Sequence, residues 1–585
     1  LGDGANLTVN SAGGAISAVA IRGTSSETVT LNATGGASNT VTLSGSGGEA
    51  IGTAVADEIA AVDIDATAGL TLGGSIFTDK QNVATNTIGI AGLVTTTADI
   101  ILRTGGSGGV GSGGADTSID IEAITGDTAG TGRDITLDAG AGGVTVGTIG
   151  TGAAADRINA VDIDGDAGVT LNGSIFTGED GARNAGTVNI DGPVTINQNT
   201  TIDTTDDGGG ADGDIIFNST VDGGFPLSVA ASAAPIAFND AVGSGTALDR
   251  LTVVNSTGTT FASTVNVTNA VQLTDTTGTI NFQDVLTAGS VNSDANAFVL
   301  DFDAGPSLSG AGTFNNTDAM AGTQDLIFDA GGVFNGGLMV AAGTETQLVG
   351  ALDTSGGNAN LTLGEMLTLT GNASLESGSG TISTQAITDG MNSFSLDVQN
   401  LVSTGPVTIN GPITVATLNT FGAGYDFFLL DGGTIVDDVD FLNTGDVTLG
   451  DDAGDTLTFD GGLATTGNAT NPGSTSIAGT VQTSGDQIDV GVMTLGAAAV
   501  IDSAGANLNV ASISDGFGNS LDLDGGTPGV IAIDSIADNL GALQVVNSAG
   551  TTFGGTLDAG AITLADTTGV IDFQERVTAS SVTAL

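Results

Sequence analysis

Apolar and polar residues alternate in short runs along the chain. Val62-Asp63-Ile64-Asp65, Val169-Thr170-Leu171-Asn172, Val194-Thr195-Ile196-Asn197, Leu361-Thr362-Leu363 and Leu521-Asp522-Leu523-Asp524 are examples. A period of two puts successive side chains on opposite faces of a strand. These runs therefore predict strands with Val, Ile and Leu inward and Asp, Thr and Asn outward. Gly-rich or Asp-Gly turns bound each run. No window sustains the i, i+3, i+4, i+7 apolar pattern of an amphipathic helix. Pro193, Pro406 and Pro412 stand at the starts of runs, where a missing ladder N–H is best tolerated.

The runs recur as copies. Residues 56–78 (ADEIAAVDIDATAGLTLGGSIFT) return as 155–177 (ADRINAVDIDGDAGVTLNGSIFT), an offset of 99. Residues 248–291 return as 540–582, at an offset of 292 that falls to 291 by Asp566. A one-residue change inside a copy implies turns that vary while strands hold register. A finer period lies in the phenylalanines. Phe217, Phe238, Phe261, Phe282 and Phe302 follow at intervals of 21, 23, 21 and 20, and Phe553 to Phe573 repeats the step. One coil of about 21 residues, with Phe at the same inward position each time, accounts for this spacing and predicts a stacked aromatic ladder.

Such a unit cannot bury its own apolar face and must stack on its neighbours. The fold expected is all-β: a right-handed parallel β-helix (β-solenoid) of about 21 residues per rung, continuous over 1–585. The rival is a string of β-sandwich domains, which the 99-residue offset would suit. The runs of three to six residues are short for sandwich strands, and turns recur too often.

Composition narrows the function. Hydrophobic residues make up 40 % of the chain, enough for a core, so the acidic character is not that of a disordered tail. Eight Lys and Arg stand against 66 Asp and Glu, for a net charge of −58. That balance repels phosphate and argues against nucleic acid as a partner. With no His and no Cys, zinc, haem and iron–sulfur sites lack their ligands, triads using His or Cys cannot form, and no disulfide is available. No apolar run approaches the ~20 residues of a membrane-spanning helix. The chain opens at Leu1-Gly2-Asp3 and reaches Ala584-Leu585 inside what reads as another repeat. It thus reads as part of a longer mature protein, with targeting and anchoring elements elsewhere.

Clustered carboxylates are the candidate chemistry. Asp203, Asp206, Asp207, Asp212 and Asp214 crowd one Gly-rich turn; Asp437, Asp438 and Asp440 form a second group and Asp451, Asp452 and Asp455 a third. Oxygen-rich loops suit Ca2+, which takes six to eight oxygen ligands, and the first cluster is the candidate metal site. None matches an EF-hand loop, and solvated turn residues are the competing reading. No cofactor is required by anything in the sequence. Two carboxylates can in principle hydrolyse a glycoside, but nothing selects a pair, so catalysis is not expected.

Between residues 200 and 300 the segments DGDIIFNSTVDGG, PIAFNDAVG, LTVVNSTGTTF and VQLTDTTGTINFQDVLTAG resemble the strand repeats of filamentous-haemagglutinin-like and autotransporter-like bacterial surface proteins. Residues 1–55 and 300–540 match that style more loosely. The resemblance implies a right-handed β-helix displayed outside the cell after export through an outer-membrane route. The function expected is a non-catalytic structural or adhesive filament of a bacterial cell surface. Its expected partners are further copies of itself, a host or neighbouring cell surface, or a polysaccharide. The alternatives are a divalent-cation-dependent surface-layer or biofilm-matrix component and a polysaccharide-processing β-helix enzyme.

Overall fold

In the computed structural model, residues 1–24, 26–54, 59–78, 86–105, 118–127, 132–151, 158–178, 186–205, 211–317, 324–400, 403–515, 517–536 and 539–585 are described. Among them the only helix is a single 3-10 turn, Ser355–Gly357. Short strands pair in parallel with strands one coil later, forming a parallel β-solenoid of roughly 23 residues per rung. The step of about 21 holds along the phenylalanines. Elsewhere it ranges from 18 residues, between Thr475 and Met493, to 35, between Ile100 and Ile135. The turns absorb the difference.

The chain forms two compact units, Leu1–Leu300 and Asp301–Leu585. Three inward columns make the core of the first. One runs Leu7, Val29, Val62, Ile88, Ile119, Val144, Val169, Val194 and Val221, and goes on through Val242 and Val265 to Leu286. The second runs from Ile16 and Val41 through Leu70, Val94, Ile124 and Ile149 to Val253 and Leu273. The third begins with Ile76, Leu102, Leu137, Ile163 and Ile190 and becomes Phe217, Phe238, Phe261 and Phe282. Those rings stack at 4.7, 4.8 and 4.6 Å with interplanar angles of 13° or less, all fully buried. β-Branched residues suit these positions, since their stiff side chains fit the pleated surface. Full burial of each such side chain stabilises by about 1.5–3 kcal/mol before chain entropy is counted.

Columns in the second unit change character along their length. One runs Leu338, Leu361, Ile382, Val407, Phe427, Val447, Thr475 and Met493. Another passes from Leu367, Ile387 and Ile413 through Gly433 to Leu457, Val481 and Ile501. A Cβ on Gly433 would lie 2.0 Å from the Ile413 carbonyl oxygen, so the column narrows to glycine there. Phe302 stacks on Phe328 at 5.4 Å, but Phe314 and Phe334 meet these rings edge-on.

The sequence copies are structural copies. Strands Ile59–Ala66, Leu70–Leu72 and Ser75–Phe77 correspond to Ile158–Gly165, Gly168–Leu171 and Ile175–Phe176; residues 56–58 and 155–157 lie outside the described residues. In the second pair the five strands from Leu248–Asn255 to Leu286–Ser293 match those from Leu540–Asn547 to Val577–Ala584. Even a buried hydroxyl pair recurs, Ser256 with Thr259 at 3.0 Å and Ser548 with Thr551 at 2.9 Å. The copies differ at a bulge. Pairing slips between Val267 and Ala270 in the first, whereas Ala559 and Ala561 pair without a slip in the second.

Candidate functional site

Parallel stacking brings every outward residue beside its counterpart on the next rung, so outward chemistry is organised in columns. The most regular is an amide ladder. Asn239 donates to the Asn218 side-chain oxygen at 2.8 Å, Asn218 to Asn189 at 2.8 Å, and Asn189 to the Asp162 carboxylate at 2.9 Å. Asn218 and Asn189 each both donate and accept, so the amides link rung to rung.

The turn cluster predicted as a metal site lies only partly within the described residues. Asp206 and Asp207 lie outside the described residues. Asp203 ends the strand Thr200–Asp203, and its carboxylate accepts the Thr205 N–H at 2.9 Å and the Thr205 hydroxyl at 2.7 Å. Asp212 accepts the Ala233 N–H at 2.7 Å from the following coil. Asp214 contributes its backbone carbonyl to the Val188 N–H at 2.9 Å. The Asp203 arrangement recurs. Asp353 accepts the Ser355 N–H at 2.7 Å and Asp502 the Ala504 N–H at 2.8 Å, each with a buried Thr or Ser between. A strand-terminal Asp-Thr/Ser-x is thus a turn device of this coil, in which a short polar side chain replaces a backbone partner.

Among the described residues, two groups of carboxylates bring one oxygen each to within 4.8 Å of one another. Asp451, Asp452 and Asp455 are one, as the sequence suggested. Asp455 accepts the N–H groups of Asp451 and Asp452 at 2.8 and 3.0 Å, and Asp452 accepts that of Gly454 at 2.6 Å. Desolvation and the charges of Asp455 and Asp452 push the Asp451 carboxyl above its ordinary range. The other group, Asp301, Asp303 and Asp329, was not foreseen. Its signal was present, however. Asp-Phe-Asp at 301–303 and Phe-Asp at 328–329 share a register once Phe302 sits over Phe328, and the Asp329 N–H donates to the Phe302 carbonyl at 3.0 Å. Asp437, Asp438 and Asp440 do not converge; Asp437 accepts the Thr417 hydroxyl, and Asp440 the Asn468 amide at 3.3 Å.

Open grooves also lie on the surface of the described residues. In the first unit, Asp63, Asp120, Glu122 and Asn172 surround a groove of about 510 Å³ floored by Gly89 and Gly147. A Cβ at Gly147 would lie 1.8 Å from the Glu122 carbonyl oxygen, so the floor stays low. In the second unit, Asp489, Asn509 and Asp534 line a groove of about 400 Å³ beside Gly467 and Ala532. Carboxylates and amides without a basic neighbour accept hydrogen bonds from hydroxyl or ammonium groups.

No helix among the described residues is long and apolar enough to cross a membrane. No protein-family model matches the chain, and no curated protein or solved structure gives a match either.

Proposed function

We propose that the chain is a non-catalytic structural and adhesive part of an extracellular filament on a bacterial surface, related to the filamentous-haemagglutinin-like and autotransporter-like proteins. The observation supporting this reading is the unbroken inward column from Leu7 to Leu286, held in register while rung length varies. Such a scaffold spends its sequence on repetition and exposes long polar faces, which suits a spacer that also touches surfaces. Electron microscopy of the purified chain with and without chelator tests it. Thin rods in both conditions, retained on a polysaccharide-coated surface and leaving that polysaccharide uncut, are expected. Turnover of the polysaccharide would overturn the non-catalytic reading.

The convergence of Asp301, Asp303 and Asp329, and of Asp451, Asp452 and Asp455, favours a second reading, a matrix component assembled by divalent cations. Like charges on adjacent rungs stand ~4.8 Å apart and repel by a fraction of a kcal/mol to about 1 kcal/mol per pair in water, less in salt. Melting curves in NaCl and CaCl2 at matched ionic strength discriminate the readings. A larger rise in melting temperature with Ca2+ supports cation-dependent assembly, and equal curves remove it.

A further inference from the structure

Three carboxylates on successive rungs of the first unit face one another. Arg103, Asp138, Asp164 and Asp191 form one outward column, by the pairings Arg103–Asp138, Asp138–Asp164 and Asp164–Asp191. The two outer acids are provided for. Asp138 receives the Arg103 guanidinium at 2.7 Å and the Gly140 N–H at 3.2 Å. Asp191 receives the Asn189 amide at 3.1 Å, which also serves Asp162 at 2.9 Å. Between them Asp164, half-buried, has no hydrogen-bond donor among the described residues. Asp162 on its own strand and Asp166 in the following turn add two further negative charges, and Arg103 is spent on Asp138 one rung away.

We propose that this ladder is a proton-operated latch. When Asp164 is protonated, its O–H donates to the carboxylate of Asp138 or Asp191 and ties its rung to that neighbour. When it loses the proton to water, three adjacent charges push the rungs apart and this stretch opens more often. Burial first, then Asp138, Asp166, Asp191 and Asp162, raise the Asp164 carboxyl to about 6, which puts the latch between mildly acid and neutral conditions. Because the folded value lies above the ordinary 3.8, the stabilisation is complete below about pH 4 and is lost as pH rises through about 6.

Hydrogen–deuterium exchange of the whole chain, corrected for intrinsic exchange, tests this at pH 5 and 7.5. Strands Arg133–Gly140, Ile158–Gly165 and Val188–Asp191 should open about tenfold more at pH 7.5 than at pH 5, the equivalent of one pKa unit of differential interaction. Strand Leu361–Leu363 of the second unit should not change. Asp164→Asn, whose amide donates at every pH, should reduce the ratio to near one, and Asp191→Asn should reduce it in part. Asp63→Asn, in the groove column, should leave it intact. Equal opening of the wild-type strands at the two pH values, or an unchanged ratio in Asp164→Asn, would overturn the latch. Should that variant fail to fold, the wild-type comparison and Asp191→Asn still decide.

Discussion

The two units solve the same packing problem differently. In the first, a column keeps one kind of residue for many rungs: Val, Ile and Leu from Leu7 to Leu286, and four flat-stacked phenylalanines from Phe217 to Phe282. In the second, Thr475 and Gly433 interrupt the columns, and Phe314 and Phe334 turn edge-on. Each interruption carries a local answer. The Thr475 hydroxyl donates to that of Thr465 at 3.1 Å, and Gly433 leaves room for the Ile413 carbonyl. Uniform columns need only register, whereas mixed ones need a specific partner at each change. Damage should therefore spread differently in the two units.

The largest effect is expected at the uniform ladder. Phe261→Ala removes a ring stacked on both sides and should cost about 3–5 kcal/mol locally. Exchange at Ile236–Phe238 and Thr279–Phe282 should report it, without global unfolding, because neighbouring rungs couple only to each other. Gly433→Val, at a mixed position, should cost about 1–3 kcal/mol from overpacking, read as a lower denaturant midpoint for exchange at Ile413–Val415. A cost above that of Phe261→Ala would reverse the contrast. Acidity sharpens it further. Burial raises the Asp524 carboxyl in the second unit, as it does Asp164 in the first, so both contributions are present in acid and fall away as pH rises. The Gly526 N–H donates to Asp524 at 2.9 Å, whereas Asp164 has no such donor among the described residues. Asp524→Asn should thus flatten the pH dependence of melting less than Asp164→Asn does. Smallest is Asn218→Ala, which breaks the amide ladder at one step and should cost about 1 kcal/mol. A loss no larger than that of an isolated exposed Asn would mean the ladder adds nothing cooperative.

The strands, the copies and the phenylalanine stack were legible because each depends on spacing along a single segment. Period-two runs name their inward face, and a step of 21 to 23 residues between Phe217 and Phe282 already states the register. Asp301, Asp303 and Asp329 were not legible from clustering, since 26 residues separate Asp303 from Asp329 in the sequence. The stacking of Phe302 on Phe328 and the Asp329 N–H bond to the Phe302 carbonyl join them. Asp203 shows the opposite case. Its neighbours in sequence suggested a cation, and its carboxylate also closes a turn on Thr205, a role that becomes visible once Asp353 and Asp502 are seen to repeat it.

The bulge between Val267 and Ala270 bears on how such a chain can change over time. Its counterpart near Ala559 lacks one residue, yet strands on either side keep their partners, and the Ser548–Thr551 hydroxyl pair survives. In most folds a single deletion within a strand turns every following side chain to the wrong face. Here the frame is restored within a few residues, because the next rung resynchronises the strand against its column. Insertions and losses are thereby confined to the coil in which they occur, and each coil can drift in length independently of the rest.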